Sequence, residues 1–145
     1  DAYCPDEAML QAGVTPVHSA EELYEKSDIV SLHIPATEDT IQSINYSLLS
    51  RMPQGAILVN TARKEVINED ELIQLMNDRP DFKYVTDIMP KSDMKMHELF
   101  EERYFSTPKK MGAQTAEANI NAGIAAANQI VDFLQNGNTR FQVNR

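Results

Sequence analysis

The stretch Ala56-Ile-Leu-Val-Asn-Thr-Ala-Arg63 begins with four apolar residues and turns polar at Asn60. Two similar runs lie on either side of it in the chain, Ile29-Val-Ser-Leu32 and Phe82-Lys-Tyr-Val85. The runs at 29–32 and 56–59 are nearly continuous in apolar residues, which is typical of strands that are covered on both faces of a sheet. Val14-Thr-Pro-Val17 is a weaker candidate for a fourth strand.

Helical patterns separate these runs. The segment Glu69 to Asn77 places four large apolar residues on or near one helical face, which predicts an amphipathic helix. Shorter helices are predicted over Glu7–Gln11, Ala20–Lys26 and Tyr46–Met52, and a loop with a short helix at Lys95–Arg103. Because strands and helices alternate at this spacing, the chain is expected to form a parallel sheet.

The longest helix is predicted to begin near Thr115 and to run to Gln135. Thr115 is a suitable N-cap residue, and Gly137 is a suitable C-cap. Within this segment the apolar residues Ile120, Ile124, Ala127, Ile130, Val131 and Leu134, together with Gly123, recur at helical spacing.

Composition limits the classes of function. The chain has 145 residues, enough for about one domain, with 42% apolar and 24% charged residues. Its net charge of −9, from 22 acidic and 13 basic residues, disfavours a nucleic-acid partner. The single cysteine, the start of the chain without a signal pattern, and the lack of a long apolar run predict a cytoplasmic protein without a membrane partner.

Several motifs resemble one enzyme family. Residues 28–40, residues 56–63 and the run Val66-Ile-Asn-Glu-Asp-Glu-Leu72 are similar to the D-isomer-specific 2-hydroxyacid dehydrogenases. The stretches 107–118 and 142–144 point to the 3-phosphoglycerate dehydrogenase branch, in its short form. The resemblance implies an α/β fold: a doubly wound, Rossmann-like parallel sheet that binds NAD, followed by a long C-terminal helix.

The glycine-rich turn of this family is not found in the chain. No two of the five glycines are two residues apart, so G-x-G-x-x-G does not occur. We therefore expect the chain to begin within the NAD-binding domain, with Asp1 as the acid that binds the adenosine ribose. Residues 1–114 would be the C-terminal part of that domain, and residues 115–145 a helix and tail that return to the substrate domain. Alone, the chain is expected to be inactive.

The resemblance also implies the site residues. Arg63 would bind the carboxylate of the substrate, since a guanidinium binds a carboxylate through two parallel hydrogen bonds. No metal ligand set is expected. The residues implied to contact the cofactor are Asp1, Ile34, Pro35, Thr40, Thr61, Ala62, Arg63, Asp87, Gly112 and Ala113.

The acid–base residues depart from the family pattern. Ser92 stands where the family has a glutamate, and Lys109 or Lys110 stands where it has a histidine. The preceding motif, Thr107-Pro108, aligns Lys109 with that histidine, whereas the following motif, residues 111–115, aligns Lys110. We favour Lys110. Either lysine could instead bind a substrate anion or face solvent. Asp93 could replace the glutamate only if the loop shifts by one residue. A third departure is Lys64, at a position usually held by glycine, which suggests an altered turn.

Three functions are consistent with these motifs. The first is hydride transfer between D-3-phosphoglycerate and NAD to give 3-phosphohydroxypyruvate for serine synthesis, by an enzyme that the resemblance implies to be a homodimer. The second is the same chemistry on another small 2-hydroxy or 2-oxo acid, such as glycerate, glyoxylate or hydroxypyruvate. The third is a corepressor-like module that senses NADH without catalysis.

Overall fold

The computed structural model describes residues 4–112 and 115–143, and the chain divides between Lys109 and Lys110 into two compact units. The first unit is a layered α/β structure, and the second contains one long helix. Along the chain, the helices and strands are α1 (Asp6–Gln11), α2 (Ala20–Lys26), β1 (Ile29–Leu32), α3 (Tyr46–Leu49), β2 (Ile57–Asn60), α4 (Glu69–Asp78), β3 (Lys83–Thr86), α5 (Asp93–Phe100), β4 (Tyr104–Ser106) and α6 (Ala116–Asn136).

The four strands form a parallel sheet in the order β1-β2-β3-β4, which confirms the predicted parallel sheet. Their last residues lie side by side, because Leu32 pairs with Asn60, Asn60 with Thr86, and Thr86 with Ser106. The residues that follow each strand therefore share one edge of the sheet. Open α/β sheets bind their ligands at this carboxyl edge.

The core lies between the sheet and its helices. All four apolar residues predicted for one face of α4 are buried: Leu72, Ile73, Leu75 and Met76. They pack in one cluster with Leu58 of β2 and Tyr84 of β3, both essentially inaccessible to solvent. Each such side chain contributes about 1.5–3 kcal/mol on burial, so this cluster anchors the sheet that carries the site.

Three predicted strands are confirmed within one residue at their ends, whereas Val14–Val17 is not a strand. Gly13 takes a positive φ of 76° and the Val14 N–H donates to the carbonyl of Met9 at 3.0 Å, which turns the chain back on α1. Pro16 has no N–H to donate to a strand ladder. The strand β4 was not predicted, because it has only three residues and its middle residue, Phe105, is exposed.

Two of the predicted helices differ from the structure by more than one residue at an end. The helix predicted over Tyr46–Met52 ends at Leu49, and the one predicted at Lys95 begins at Asp93. In the second unit, the Thr115 hydroxyl accepts from the Ala118 N–H at 3.1 Å, and Gly137 ends α6 at a φ of 66°. Within residues 4–112 and 115–143, no helix is both long and apolar enough to span a bilayer.

The amino edge of the sheet is held by an ion pair between Arg79 and Asp81, with N and O 2.6 Å apart. The Arg79 guanidinium also donates to the carbonyls of Met52 and Pro53, and the Gly55 N–H donates to Asp81. The hydrogen bonds from Arg79 and then from Gly55 lower the pKa of Asp81 from 3.8 to about 2. Folding therefore stabilises the ionised form of the Asp81 side chain relative to its protonated form.

Replacing Asp81 should make the free energy of unfolding depend less on pH in the acidic range. A depressed pKa contributes stability above about pH 4, and that contribution is lost as the pH falls through about 2. We expect Asp81→Asn to lower the free energy of unfolding by about 1 kcal/mol at pH 6 and by almost nothing at pH 2, given the partly exposed pair. Urea unfolding at both pH values measures the difference.

The exposed pair of Arg51 with Glu25 provides the control, since both side chains are largely open to solvent. Glu25→Gln should change the unfolding free energy by less than about 0.5 kcal/mol at pH 6. An Asp81→Asn effect that is no larger than this, or that persists unchanged at pH 2, would contradict the role given to Asp81.

Candidate functional site at the carboxyl edge of the sheet

The loops that follow the four strands carry most of the predicted site residues. His33, Thr61, Asp87 and Thr107 each come directly after a strand, and the strand ends lie in register. Adjacent strands lie about 4.8 Å apart, so these four positions form a row along one edge. The structure therefore brings the loops with Ile34 and Pro35, with Thr61 to Arg63, and with Asp87 to the same side of the sheet.

The turn that carries Arg63 is shaped by the side chain of Asn60. Asn60 is fully buried; its Oδ1 accepts from the Ala62 N–H at 3.0 Å, and its Nδ2 donates to the Arg63 carbonyl at 2.9 Å. One amide side chain thus satisfies a donor and an acceptor of the backbone just beyond the strand. The chain then enters a short 3₁₀ helix at Lys64 without any positive φ, so the turn does not need the glycine of the family pattern.

Arg63 lines a cleft of about 320 Å³ together with His33, Ile34, Pro35 and Ala62. Its side chain is exposed, and its Nη1 donates to the Ala62 carbonyl at 2.8 Å. The walls of the cleft combine apolar side chains with this one cation. Such a cleft fits a flat ring against Ile34 and Pro35 and a carboxylate against the guanidinium.

Thr40 closes the loop that follows β1. Its hydroxyl donates to the Pro35 carbonyl at 2.6 Å and accepts from the Thr37 N–H at 2.8 Å. The hydroxyl of Thr40 therefore fixes the backbone of residues 35–40 from within the loop. His33 is held similarly, since its Nε2 lies 2.9 Å from the hydroxyl of Ser31.

Asp87 is joined to the neighbouring strand end. The Thr107 hydroxyl donates to Asp87 Oδ1 at 2.7 Å, and the Asp87 N–H donates to the carbonyl of Asn60 at 3.0 Å. The carboxylate is thereby oriented by β4 while its backbone is fixed by β2. A carboxylate at this edge can accept a hydrogen bond from an amide group of a ligand.

The two lysines lie on either side of the division between the units. Lys109 is the last residue of the first unit and is exposed, whereas Lys110 is the first residue of the second and is half-buried. Gly112 also belongs to the second unit, where it is exposed. Asp1 and Ala113, both predicted to contact the cofactor, lie outside the described residues.

Asp93, which was considered as a replacement for the glutamate of the family pattern, contacts β4. It is the first residue of α5 and accepts at 2.6 Å from the hydroxyls of both Tyr104 and Ser106 in β4. Burial alone would raise the pKa of Asp93, but these two hydrogen bonds and the nearby His97 ring hold that pKa below its usual value. This ionised carboxylate ties α5 to the sheet and does not resemble a proton donor for the site.

Asn60, Thr107 and Glu69 were not given roles from the sequence, yet each of them holds part of the site. Asn60 carried a detectable signal, because a polar residue at the end of an apolar strand is buried and requires partners. Thr107 and Glu69 act through contacts with residues 20 and more positions away, which no local pattern could have indicated.

Residues 1–108 match the model of the D-isomer specific 2-hydroxyacid dehydrogenase, NAD binding domain. A solved NAD⁺-bound 3-phosphoglycerate dehydrogenase of Entamoeba histolytica is 44% identical, with a TM-score of 0.83, over 100% of this chain and 45% of that one. The D-3-phosphoglycerate dehydrogenase of Haemophilus influenzae is 34% identical over 88% of this chain and 32% of its own length.

A hydroxypyruvate reductase of Thermotoga maritima is 32% identical over 76% of this chain and 37% of its own length. The chain thus spans about a third of the length of the curated relatives that it matches. The family inferred from the motifs is confirmed, and so is its Rossmann-like sheet. The chain belongs to the NAD-binding domain family of the D-isomer specific 2-hydroxyacid dehydrogenases.

Proposed function

We propose that the whole protein, meaning this chain with any further residues of its natural gene product, is an NAD-dependent oxidoreductase that interconverts D-3-phosphoglycerate and 3-phosphohydroxypyruvate. The observation that carries the proposal is the row of strand-end residues in an NAD-binding domain, with the exposed guanidinium of Arg63 and the oriented carboxylate of Asp87 on neighbouring strand ends. This reaction would serve serine synthesis. The cytoplasm would be its location.

Arg63 would hold the carboxylate of the substrate and polarise the carbonyl that is reduced. The Asn60 side chain fixes the main chain of the turn that carries Arg63, and a guanidinium can donate two parallel hydrogen bonds to a carboxylate. In the direction of reduction, a hydride reaches the C2 carbonyl carbon and a proton must reach the oxygen. We assign that proton to Lys110, with Lys109 as the alternative.

The residues at the strand ends fit NAD, which supplies the hydride acceptor when it is bound. Ile34, Pro35 and Ala62 provide an apolar wall, and Asp87 provides an acceptor for an amide N–H. Thr40 and Thr61 are assigned to the same surface, as are Asp1, Gly112 and Ala113 from their sequence context. In this proposal residues 1–114 belong to the NAD-binding domain and residues 115–145 to the connection with the substrate domain.

Two observations keep a second candidate function open, an NADH-binding module without catalysis. Ser92 replaces the glutamate of the family pattern, and the adjacent Asp93 is bonded to Tyr104 and Ser106. If turnover needs the glutamate of the family pattern, cofactor binding would persist while turnover is lost. The similarity to a hydroxypyruvate reductase likewise supports the alternative of another 2-oxo acid substrate.

One assay of the whole protein separates these functions. NADH oxidation is followed with 3-phosphohydroxypyruvate, hydroxypyruvate and glyoxylate, and NADH binding is followed by fluorescence. We expect the highest kcat/KM with the phosphorylated substrate. Binding of NADH without turnover on any of the three would replace the proposal by the binding module. The proposed homodimer is tested in the same preparation by light scattering.

A further inference from the structure

Glu69 grips the loop that follows β3. Its Oε1 accepts from the Lys91 N–H at 3.0 Å, and its Oε2 accepts from the Ser92 N–H at 3.0 Å. Glu69 is the first residue of α4, while Ser92 occupies the N-cap position of α5. A single carboxylate on one helix therefore accepts from the N–H of the N-cap residue of the next helix and from the N–H of the residue before it.

The start of α5 depends on this carboxylate. The first N–H groups of a helix have no partner within it, and the Ser92 side chain makes no capping hydrogen bond. In a capping box, a glutamate of the same helix satisfies the N–H of the cap residue. Here a glutamate from a neighbouring helix does so, and it takes the preceding N–H as well.

The segment between Asp87 and the two hydrogen bonds of Glu69 is short. Ile88 is already fixed, since its N–H donates to the Thr86 hydroxyl at 3.0 Å, and Lys91 is fixed by Glu69. Only Met89 and Pro90 lie between them, and Pro90 is buried and has its φ fixed by its ring. A displacement at Lys91 therefore has little slack in which to be absorbed and acts on Ile88, the neighbour of Asp87.

We propose that Glu69 is a positioning residue for hydride transfer: it holds residues 88–92 so that Asp87 keeps its place at the nicotinamide end of NAD. This inference rests on the proposed function, because it assigns Asp87 to the cofactor. Glu69 itself does not touch the cofactor or the substrate. Its effect passes along the backbone from Lys91 to Asp87.

A double-mutant cycle in the whole protein tests the coupling. Glu69→Gln keeps the size of the side chain but turns an NH₂ group towards one of the two N–H donors. We expect it to lower kcat about tenfold while KM for NAD changes less than about threefold, because the nicotinamide and not the adenosine is misplaced. In an Asp87→Asn background, Glu69→Gln should lower kcat by less than about twofold.

Asp70 supplies the matched control. It is the next residue in the first turn of α4 and is exposed, so Asp70→Asn removes the same charge without touching the loop. It should leave kcat and KM unchanged. Equal losses in the Asp70 and Glu69 variants, or an undiminished Glu69 effect in the Asp87→Asn background, would overturn the inference while leaving the proposed function intact.

Hydrogen exchange gives a readout that does not depend on activity. The amides of Lys91 and Ser92 should exchange at least about tenfold faster in Glu69→Gln than in the wild type, and at the wild-type rate in Asp70→Asn. Unchanged exchange rates in Glu69→Gln would show that Glu69 does not hold the backbone of Lys91 and Ser92. If Asp87→Asn alone leaves turnover unchanged, the cofactor role of Asp87 fails, and both the site assignment and this inference fail with it.

Discussion

Replacing Arg63 by lysine in the whole protein is expected to lower kcat/KM for the 2-oxo acid by roughly 100-fold while the Kd for NADH changes less than about threefold. A lysine keeps the charge but has a single ammonium group, so it cannot offer two parallel N–H donors to a carboxylate. The loss corresponds to about 2.7 kcal/mol of transition-state stabilisation. Steady-state kinetics and NADH fluorescence titration measure the two quantities.

The position of Arg63 makes this separation of effects possible. Its guanidinium is exposed at the cleft and, within the described part of the chain, donates only to the carbonyl of the preceding residue, Ala62. The fold therefore does not depend on the two parallel donors of the guanidinium. Lys64→Ala is the matched control, since it removes a neighbouring cation from the start of the 3₁₀ helix. An equal loss of NADH affinity in Arg63→Lys would show that this residue supports the cofactor surface and not the substrate.

The second large effect concerns the proton. Lys110→Ala should lower kcat for reduction by about 100-fold, since positioned acid–base groups contribute 10²–10⁴-fold. Lys109→Ala, an equal change one residue earlier, should cost less than about threefold. Steady-state kcat for reduction, measured for the wild type and both variants at one pH, gives the two losses.

The two lysine variants decide between the two alignments of this segment. A larger loss in Lys109→Ala would mean that the motif through Thr107 and Pro108 gives the correct correspondence. If neither variant loses turnover, the lysines belong to substrate binding or to solvent. In that case water is the expected proton source, because the Asp93 carboxylate is occupied by the hydroxyls of Tyr104 and Ser106.

The strands and helices of the first unit could be predicted because their signals are local. An apolar run such as Ile57 to Val59, or the apolar face of α4, is visible within a few residues of sequence. The strand β4 could not be predicted this way. Its three residues are placed by the tertiary contacts of Tyr104 and Ser106 with Asp93, and Phe105 between them is exposed.

The site divides along the same line. Arg63 and Asp87 were predicted because they follow strands and because the family motif surrounds them. The side chains that orient them were not: the Thr107 hydroxyl reaches Asp87 from 20 residues away, and the Glu69 carboxylate reaches the loop backbone from 22 and 23 residues away. Contacts at such separations arise only when the sheet brings its loops together, and one sequence contains no trace of them.

Asn60 has a consequence for which positions of this loop can vary. Both of its hydrogen bonds are to main-chain atoms, of Ala62 and of Arg63, so the path of the turn is encoded in one buried residue. The Ala62 side chain lines the cleft and makes neither of these hydrogen bonds. A different side chain at Ala62 can therefore alter the cleft wall while Asn60 keeps the path of the turn, which separates the choice of ligand from the placement of the charge.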